Sequence, residues 1–309
     1  MLNTLVFLIS ETLVNSQILI LAALGGLISE KSGIINIGIE GTMALGAFVG
    51  ATCAYYYGSP LFAIFIGGLS GLILSILHAI FTIFFQSDQI ITGMAINFLG
   101  PAIAILFGTF IFGSISTPPI DIKLPVFFDG VLDKKSLIFQ ILGKRYSFHM
   151  AIICVIIVHI ILKYTKIGLR IKASGEEPEV LESLGVNVIM IRFFCVLLSG
   201  LFAGISGAVL STVIASSYTQ GMVGGQGFVA IVMLIFGNWQ PFGILMGSFL
   251  FSFMRTLVVI LSQVSFFSLM VSPKILIILP YLVVILSLMF FSKSNYAPKS
   301  LGVPYKKGC

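Results

Sequence analysis

Leu61-Phe-Ala-Ile-Phe-Ile-Gly-Gly-Leu-Ser-Gly-Leu-Ile-Leu-Ser-Ile-Leu-His-Ala-Ile-Phe-Thr-Ile-Phe-Phe85 runs for 25 residues without one Asp, Glu, Lys or Arg. A helix rises about 1.5 Å per residue, so this run covers the roughly 30 Å hydrocarbon core of a bilayer. Its apolar residues fall on every side of the helix rather than on alternate positions, which excludes the ten-residue alternating strands of a membrane barrel. Runs of the same kind recur on both sides of it. Together they predict nine crossings: Leu13 to Ile28, Ile37 to Tyr57, Leu61 to Phe85, Ile90 to Phe112, Phe148 to Leu162, Ile189 to Ala215, Phe228 to Phe236, Phe242 to Leu261 and Ile275 to Phe291.

The whole chain agrees with that reading. Of 309 residues, 58% are apolar and 9% charged, and the mean hydropathy is +1.13. Twenty-eight charges cannot clothe a water-soluble particle of this size, so soluble enzymes, nucleic-acid modules and secreted disulfide scaffolds are excluded. The net charge of +6 comes from Lys and Arg in the connections between apolar runs. It therefore reports topology rather than a basic binding face. One side collects ten of these charges (Lys31, Lys163, Lys166, Arg170, Lys172, Arg192, Lys293, Lys299, Lys306, Lys307) and the other six (Lys123, Lys134, Lys135, Lys144, Arg145, Lys274). The richer side is expected to be cytoplasmic, with the N-terminus outside and the C-terminus inside. That divides the chain into a transmembrane domain over 1–292, with an exterior loop at 113–147 and a cytoplasmic loop at 163–192, and a cytoplasmic tail over 293–309. Met1 to Ser16 has no basic start and no cleavage pattern, so the first apolar stretch is expected to remain in the protein. Cys53, Cys154, Cys195 and Cys309 show no metal or redox spacing.

Two segments cannot be plain spans. Phe228 to Phe236 would reach about 14 Å as a helix and follows Gly221-Met-Val-Gly-Gly-Gln-Gly227, which predicts a broken helix covered by protein or beside a watery cavity. Ser32-Gly-Ile-Ile-Asn-Ile-Gly-Ile-Glu-Gly41 brings three glycines, an asparagine and a glutamate to the start of the second span, and it too needs protein around it. Small residues at four-residue spacing, Gly46 with Gly50, Gly67 with Gly71 and Gly200 with Gly204, allow close helix packing.

No phosphate loop, H-E-x-x-H or G-x-S-x-G is present, and His78, His149 and His159 are too scattered to form a catalytic set. The chain is not expected to be an enzyme, to bind a metal or to hold a cofactor. Glu40 has two readings, on a solute path or as a hydrogen-bonding brace for a glycine-rich turn, because a charge at membrane depth needs a partner or a watery cavity. Asn97 is open in the same way. Arg255 either snorkels to the interface or meets solute. In the loop Lys163 to Arg192, Pro178 suits the first turn of a short helix, Glu177 and Glu179 suit its positive end and Gly185 its stop.

The string Leu21-Ala-Ala-Leu-Gly-Gly-Leu-Ile-Ser-Glu-Lys-Ser-Gly-Ile-Ile-Asn-Ile-Gly-Ile-Glu-Gly41 resembles the signature of ABC-importer permeases in the sugar, nucleoside and branched-chain amino acid superfamily. Gln89-Ile-Ile-Thr-Gly-Met-Ala-Ile-Asn97, Gly168-Leu-Arg, Glu176-Glu-Pro, Leu184-Gly-Val-Asn-Val and the ending Leu301-Gly-Val-Pro-Tyr305 point to its nucleoside, basic membrane lipoprotein-dependent branch, over about Thr12 to Lys306. The resemblance implies an all-α polytopic fold similar to the vitamin B12-type importer permeases. It also implies partners: a separate ATPase that binds the ATP, a second and paralogous permease, and an extracytoplasmic substrate-binding lipoprotein, at a bacterial inner membrane.

On that basis the expected function is the permease subunit of an ATP-driven nucleoside importer, forming half of the solute path. Asn36, Glu40, Asn97, Gln220 and Gln226 are the candidate path residues, and Glu176, Glu177, Pro178, Glu179 and Gly185 would couple to the ATPase. A permease for simple sugars or branched-chain amino acids, or an ion-coupled secondary transporter, is the alternative. Sugar permeases of the superfamily carry an extra first span that is missing here, and Val180 and Leu181 stand where relatives often have alanines.

Overall fold

The computed structural model describes residues 2–121, 146–263, 278–291 and 297–306. Lys123, Lys134, Lys135, Lys144, Arg145, Lys274, Lys293 and Lys307 of the charge count, most of the exterior loop and the start of the ninth expected span lie outside these residues.

Among the described residues the structure is helical throughout: α1 (Leu2–Lys31), α2 (Ile39–Tyr57), α3 (Pro60–Ala79), α4 (Gln89–Phe112), α5 (Tyr146–Tyr164), α6 (Lys166–Glu176), α7 (Pro178–Ser183), α8 (Val188–Val209), α9 (Gln226–Phe236), α10 (Pro241–Gln263) and α11 (Leu279–Phe291). Wider π-helical turns extend α3 over Ile80–Phe84 and α8 over Leu210–Ala215. Among the described residues six helices are long and apolar enough to cross a membrane, namely α1, α3 with its extension, α4, α5, α8 with its extension and α10. The nine crossings expected from the sequence exceed that number because α2 is rich in Gly and Ala, α9 has 11 residues and α11 has 13. Helix α1 begins well before Leu13. Its polar residues are accommodated inside the helix, Thr12 Oγ1 donating to Leu8 O at 2.7 Å and Asn15 Nδ2 to Glu11 O at 2.9 Å.

Helix α8 is the hub, packed against α1, α2 and α3. The spaced glycines make this possible. A Cβ on Gly71 would lie 2.3 Å from Gly200 O, and one on Gly46 would lie 2.4 Å from Gly204 O, so these backbones approach as closely as only glycine permits. The surface away from the hub is apolar, with Phe110, Phe98 and Met289 strongly exposed, as expected where the solvent is lipid. Polar side chains cap the helices that start at loops: Asp88 accepts from Ile90 and Ile91 N–H at 2.8 and 3.0 Å, and Asn187 accepts from Met190 N–H at 3.1 Å.

Candidate functional site

Between α1 and α2 the chain does not stay at the membrane surface. Asn36 Nδ2 donates to Ser199 Oγ at 2.9 Å, and Ser199 lies eleven residues into α8, about 16 Å along its axis. Non-helical backbone at that depth must find every hydrogen bond within the protein. Three helices supply them. Gln89 Oε1 of α4 accepts from Ile35 N–H at 2.7 Å, His78 Nε2 of α3 lies 3.1 Å from Ile35 O, and Ser29 Oγ of α1 donates to Ile34 O at 2.8 Å. Asn97 of α4 serves both flanks of the turn, donating to Ile37 O at 3.0 Å and accepting from Gly41 N–H at 2.8 Å. Asn36 Oδ1 accepts from Gly38 N–H at 3.1 Å, and the residue is 2% exposed. The amides of Asn36 and Asn97 are therefore committed to the turn.

Glu40 performs the corresponding task for the second broken segment. Its two carboxylate oxygens accept from Gly225 N–H at 2.7 Å and Gly227 N–H at 2.6 Å, at the start of α9. The first N–H groups of a helix have no partner within it and carry its positive dipole end, which a carboxylate neutralises. A Cβ on Gly227 would lie 2.6 Å from the Glu40 backbone, so only glycine lets the two helix starts meet this closely. Of the two readings open for Glu40, this geometry is that of the brace.

The remaining two candidate path residues part company. Gln220 is exposed in the turn before α9. Gln226, 8% exposed, lines a cavity of about 360 Å³ bounded by α9, α10 and α11, together with Met222, Phe251, Arg255, Pro280 and Tyr281. The structure thus brings Asn36, Glu40 and Asn97 to the broken helix starts, with Gln226 between the two glycines that Glu40 holds and in the lining of the cavity that Arg255 also lines.

The loop 163–192 holds two helices. Pro178 opens α7, and Gly185, at φ +77°, lies just past its end, with its N–H donating to Glu182 O at 2.8 Å. Val180 of α7 and Leu184 just past its end are exposed, as are Glu177 and Glu179, whereas Leu181 is buried and Glu176 half-buried. Behind α7 lies a knot that local sequence pattern does not reveal. Arg192, 1% exposed, donates to Val303 O at 3.0 Å, Ser174 O at 3.2 Å and Ser300 Oγ at 3.1 Å. Ser300 N–H donates to Gly175 O at 2.9 Å, and Gly302 N–H to Gly33 O at 3.0 Å. Lys299 pairs with Glu177 at 3.1 Å, and the Tyr305 hydroxyl donates to Glu182. Withdrawal from water and the adjacent Glu182 carboxylate push the Tyr305 phenol up to about 12, which keeps that proton in place. The tail thus straps α6 and α7 to the ends of α1 and α8.

Two engaged residues escape a reading of spans and charges. Arg192 counts there as one more loop cation. Glu30, 5% exposed near the end of α1, accepts from Trp239 Nε1–H at 2.7 Å across 209 residues of sequence. Its sequence signal is an acid just inside an apolar run, the same signal that singles out Glu40.

A helical, multi-pass membrane protein with two broken helix starts and a strapped helical loop at one end is the class these features define. The chain belongs to the branched-chain amino acid transport system / permease component family, whose model matches residues 8–290. It is 35% identical to the guanosine ABC transporter permease protein NupQ of Bacillus subtilis, over 97% of each chain. It is 33% identical to the nucleoside ABC transporter permease protein NupC of Lactococcus lactis, over 99% of this chain and 98% of that one. A putative glucose ABC transporter permease protein, TsgC13 of Haloferax volcanii, is 30% identical over 81% of this chain and 76% of its own. No solved structure matches.

Proposed function

We propose that this chain is the transmembrane permease subunit of an ATP-driven nucleoside importer and forms one half of its solute pathway. The observation that carries this reading is end-to-end similarity, at 33% and 35% identity, to two permeases that are both named for nucleosides. In this reading α2, α9 and α11 complete nine crossings, in an architecture like that of the vitamin B12-type permeases, with residues 1–292 as the membrane domain and 293–309 as a cytoplasmic tail. The cations Lys31, Lys172 and Lys299 gather around the strapped helices, which supports a cytoplasmic location for that end in a bacterial inner membrane, with the N-terminus outside.

The exposed side of α7, with Glu177, Glu179, Val180 and Leu184, is the surface we assign to a separate ATPase, and Glu176, Pro178 and Gly185 hold its shape. ATP is bound by that partner. A second permease supplies the other half of the path, and a lipoprotein delivers solute from outside. Closure of the ATPases moves the strapped helices, and the attached α5 and α8 turn the cavity from one side to the other.

The test is competition in cells carrying the assembled importer. Uptake of a labelled nucleoside is expected to be blocked by unlabelled nucleosides and unaffected by free pentoses, glucose or leucine. Block by the sugars or leucine, with nucleosides inert, overturns the choice of solute.

A further inference from the structure

The cavity between α9, α10 and α11 is lined by one cation among the described residues, Arg255, which is itself exposed. Arg255 lies fourteen residues into α10, about 21 Å along the helix, and makes no hydrogen bond or ion pair with the described residues. Glu30 is engaged with Trp239, and Glu40, whose carboxylate accepts from Gly225 and Gly227 N–H on either side of Gln226, makes no ion pair with Arg255. No Asp or Glu follows Glu182 in the sequence. Snorkelling toward Gln263 would carry the guanidinium past two further turns of α10. An intramembrane cation without a counter-charge requires a watery cavity and, when the cavity is filled, an acceptor on the occupant. The rest of the lining is suited to a flat, weakly polar ring: Tyr281 and Phe251 meet edge to face at 5.5 Å, Val258 and Val259 form an apolar wall, and Gln226 adds one amide. A volume of about 360 Å³ lies within the usual range for small-molecule sites, about 300–1,000 Å³.

Building on the nucleoside reading above, we propose that this cavity is the base-recognition part of the pathway and that Arg255 selects purines with an oxygen at C6. A guanidinium has five donors and no acceptor, held in a rigid fork. Guanine and hypoxanthine offer the matching pair of adjacent acceptors, O6 and N7. Adenine offers N7 beside an amino donor, which faces the guanidinium donor to donor. Tyr281 supplies the stacking face, and Gln226 serves the remaining polar edge of the solute.

The experiment measures uptake of labelled guanosine, inosine and adenosine, below saturation, in cells carrying the complete importer with the parent chain, Arg255→Gln or Arg255→Lys. The readout is the guanosine-to-adenosine ratio, which does not depend on how much transporter reaches the membrane. The parent is expected to prefer guanosine and inosine. Arg255→Gln should lower the ratio by about 5- to 150-fold, the range for one bidentate arginine–base pair. Arg255→Lys, which can still donate to O6 and N7 but without the rigid fork, should fall between the parent and Arg255→Gln. A ratio left unchanged in Arg255→Gln, or equal loss for all three solutes, overturns the proposal while leaving the nucleoside importer standing. A parent importer that carries none of the three overturns the nucleoside reading and this proposal with it.

Discussion

Replacing Glu40 separates the two roles its position allows. In the structure its carboxylate receives two backbone N–H groups, from Gly225 and Gly227, at 2.7 and 2.6 Å. A hydrogen bond to a charged group contributes about 1.5–3 kcal/mol, so Glu40→Ala should remove about 3–6 kcal/mol and leave the first turn of α9 without acceptors. That is a large share of the roughly 5–15 kcal/mol that holds a typical domain together. Glu40→Gln keeps one acceptor oxygen but turns an amide donor against the second N–H, so it should lose about half as much. Gly227→Ala should destabilise the same junction while leaving the carboxylate's charge in place, because its methyl would sit 2.6 Å from the Glu40 backbone and 2.8 Å from Glu40 Oε2. The assay pairs thermal unfolding of the purified complex with the KM for nucleoside uptake by the protein that survives. A brace predicts a falling midpoint in the order parent, Gln, Ala, with KM within about threefold of the parent. Variants as stable as the parent with KM raised tenfold or more would refute the brace and return Glu40 to the solute path.

Two further changes address the strapped end. Arg192→Met should free Val303 O, Ser174 O and Ser300 from a buried guanidinium, a local loss of about 1–3 kcal/mol for each acceptor left unsatisfied. Limited proteolysis should then cut within 297–306 in the variant and spare the parent. Glu177→Lys with Glu179→Lys disturbs groups on an exposed helix start, and the Lys299–Glu177 pair it breaks is itself exposed and worth about 0–1 kcal/mol. The membrane level should therefore be unchanged, while co-purification of the ATPase falls; a double variant that co-purifies and transports like the parent places the docking surface elsewhere.

The long spans are legible in the sequence because lipid demands apolar residues on every side of a helix, a local and redundant signal. The short helix at Phe228 to Phe236 is legible for a related reason: its apolar run is too brief to cross, and the glycines before it mark a break. The structure places that break at Gln226, with Glu40 across from it. The partners of the broken segments are not legible. Ile35, Ile37 and Gly41 are served by Gln89, His78 and Asn97, which stand out in the sequence as polar residues but whose partners are set only by three-dimensional proximity. Arg192 shows the limit most clearly. Sequence pattern places it at a loop boundary, whereas its contact with Val303 spans 111 residues and makes it the centre of the strap. Asn36 and Asn97 looked suited to a solute because they are polar at membrane depth, and the need to satisfy non-helical backbone there is the competing use of the same chemistry.

The central claim is that this chain moves nucleosides by the work of a separate ATPase. The most direct measurement is labelled nucleoside uptake in cells, with the partner ATPase deleted in one strain and the proton gradient collapsed, with ATP maintained, in another. Uptake should vanish with the ATPase while this chain stays in the membrane, and should survive loss of the gradient. Uptake that persists without the ATPase and collapses with the gradient would contradict the account.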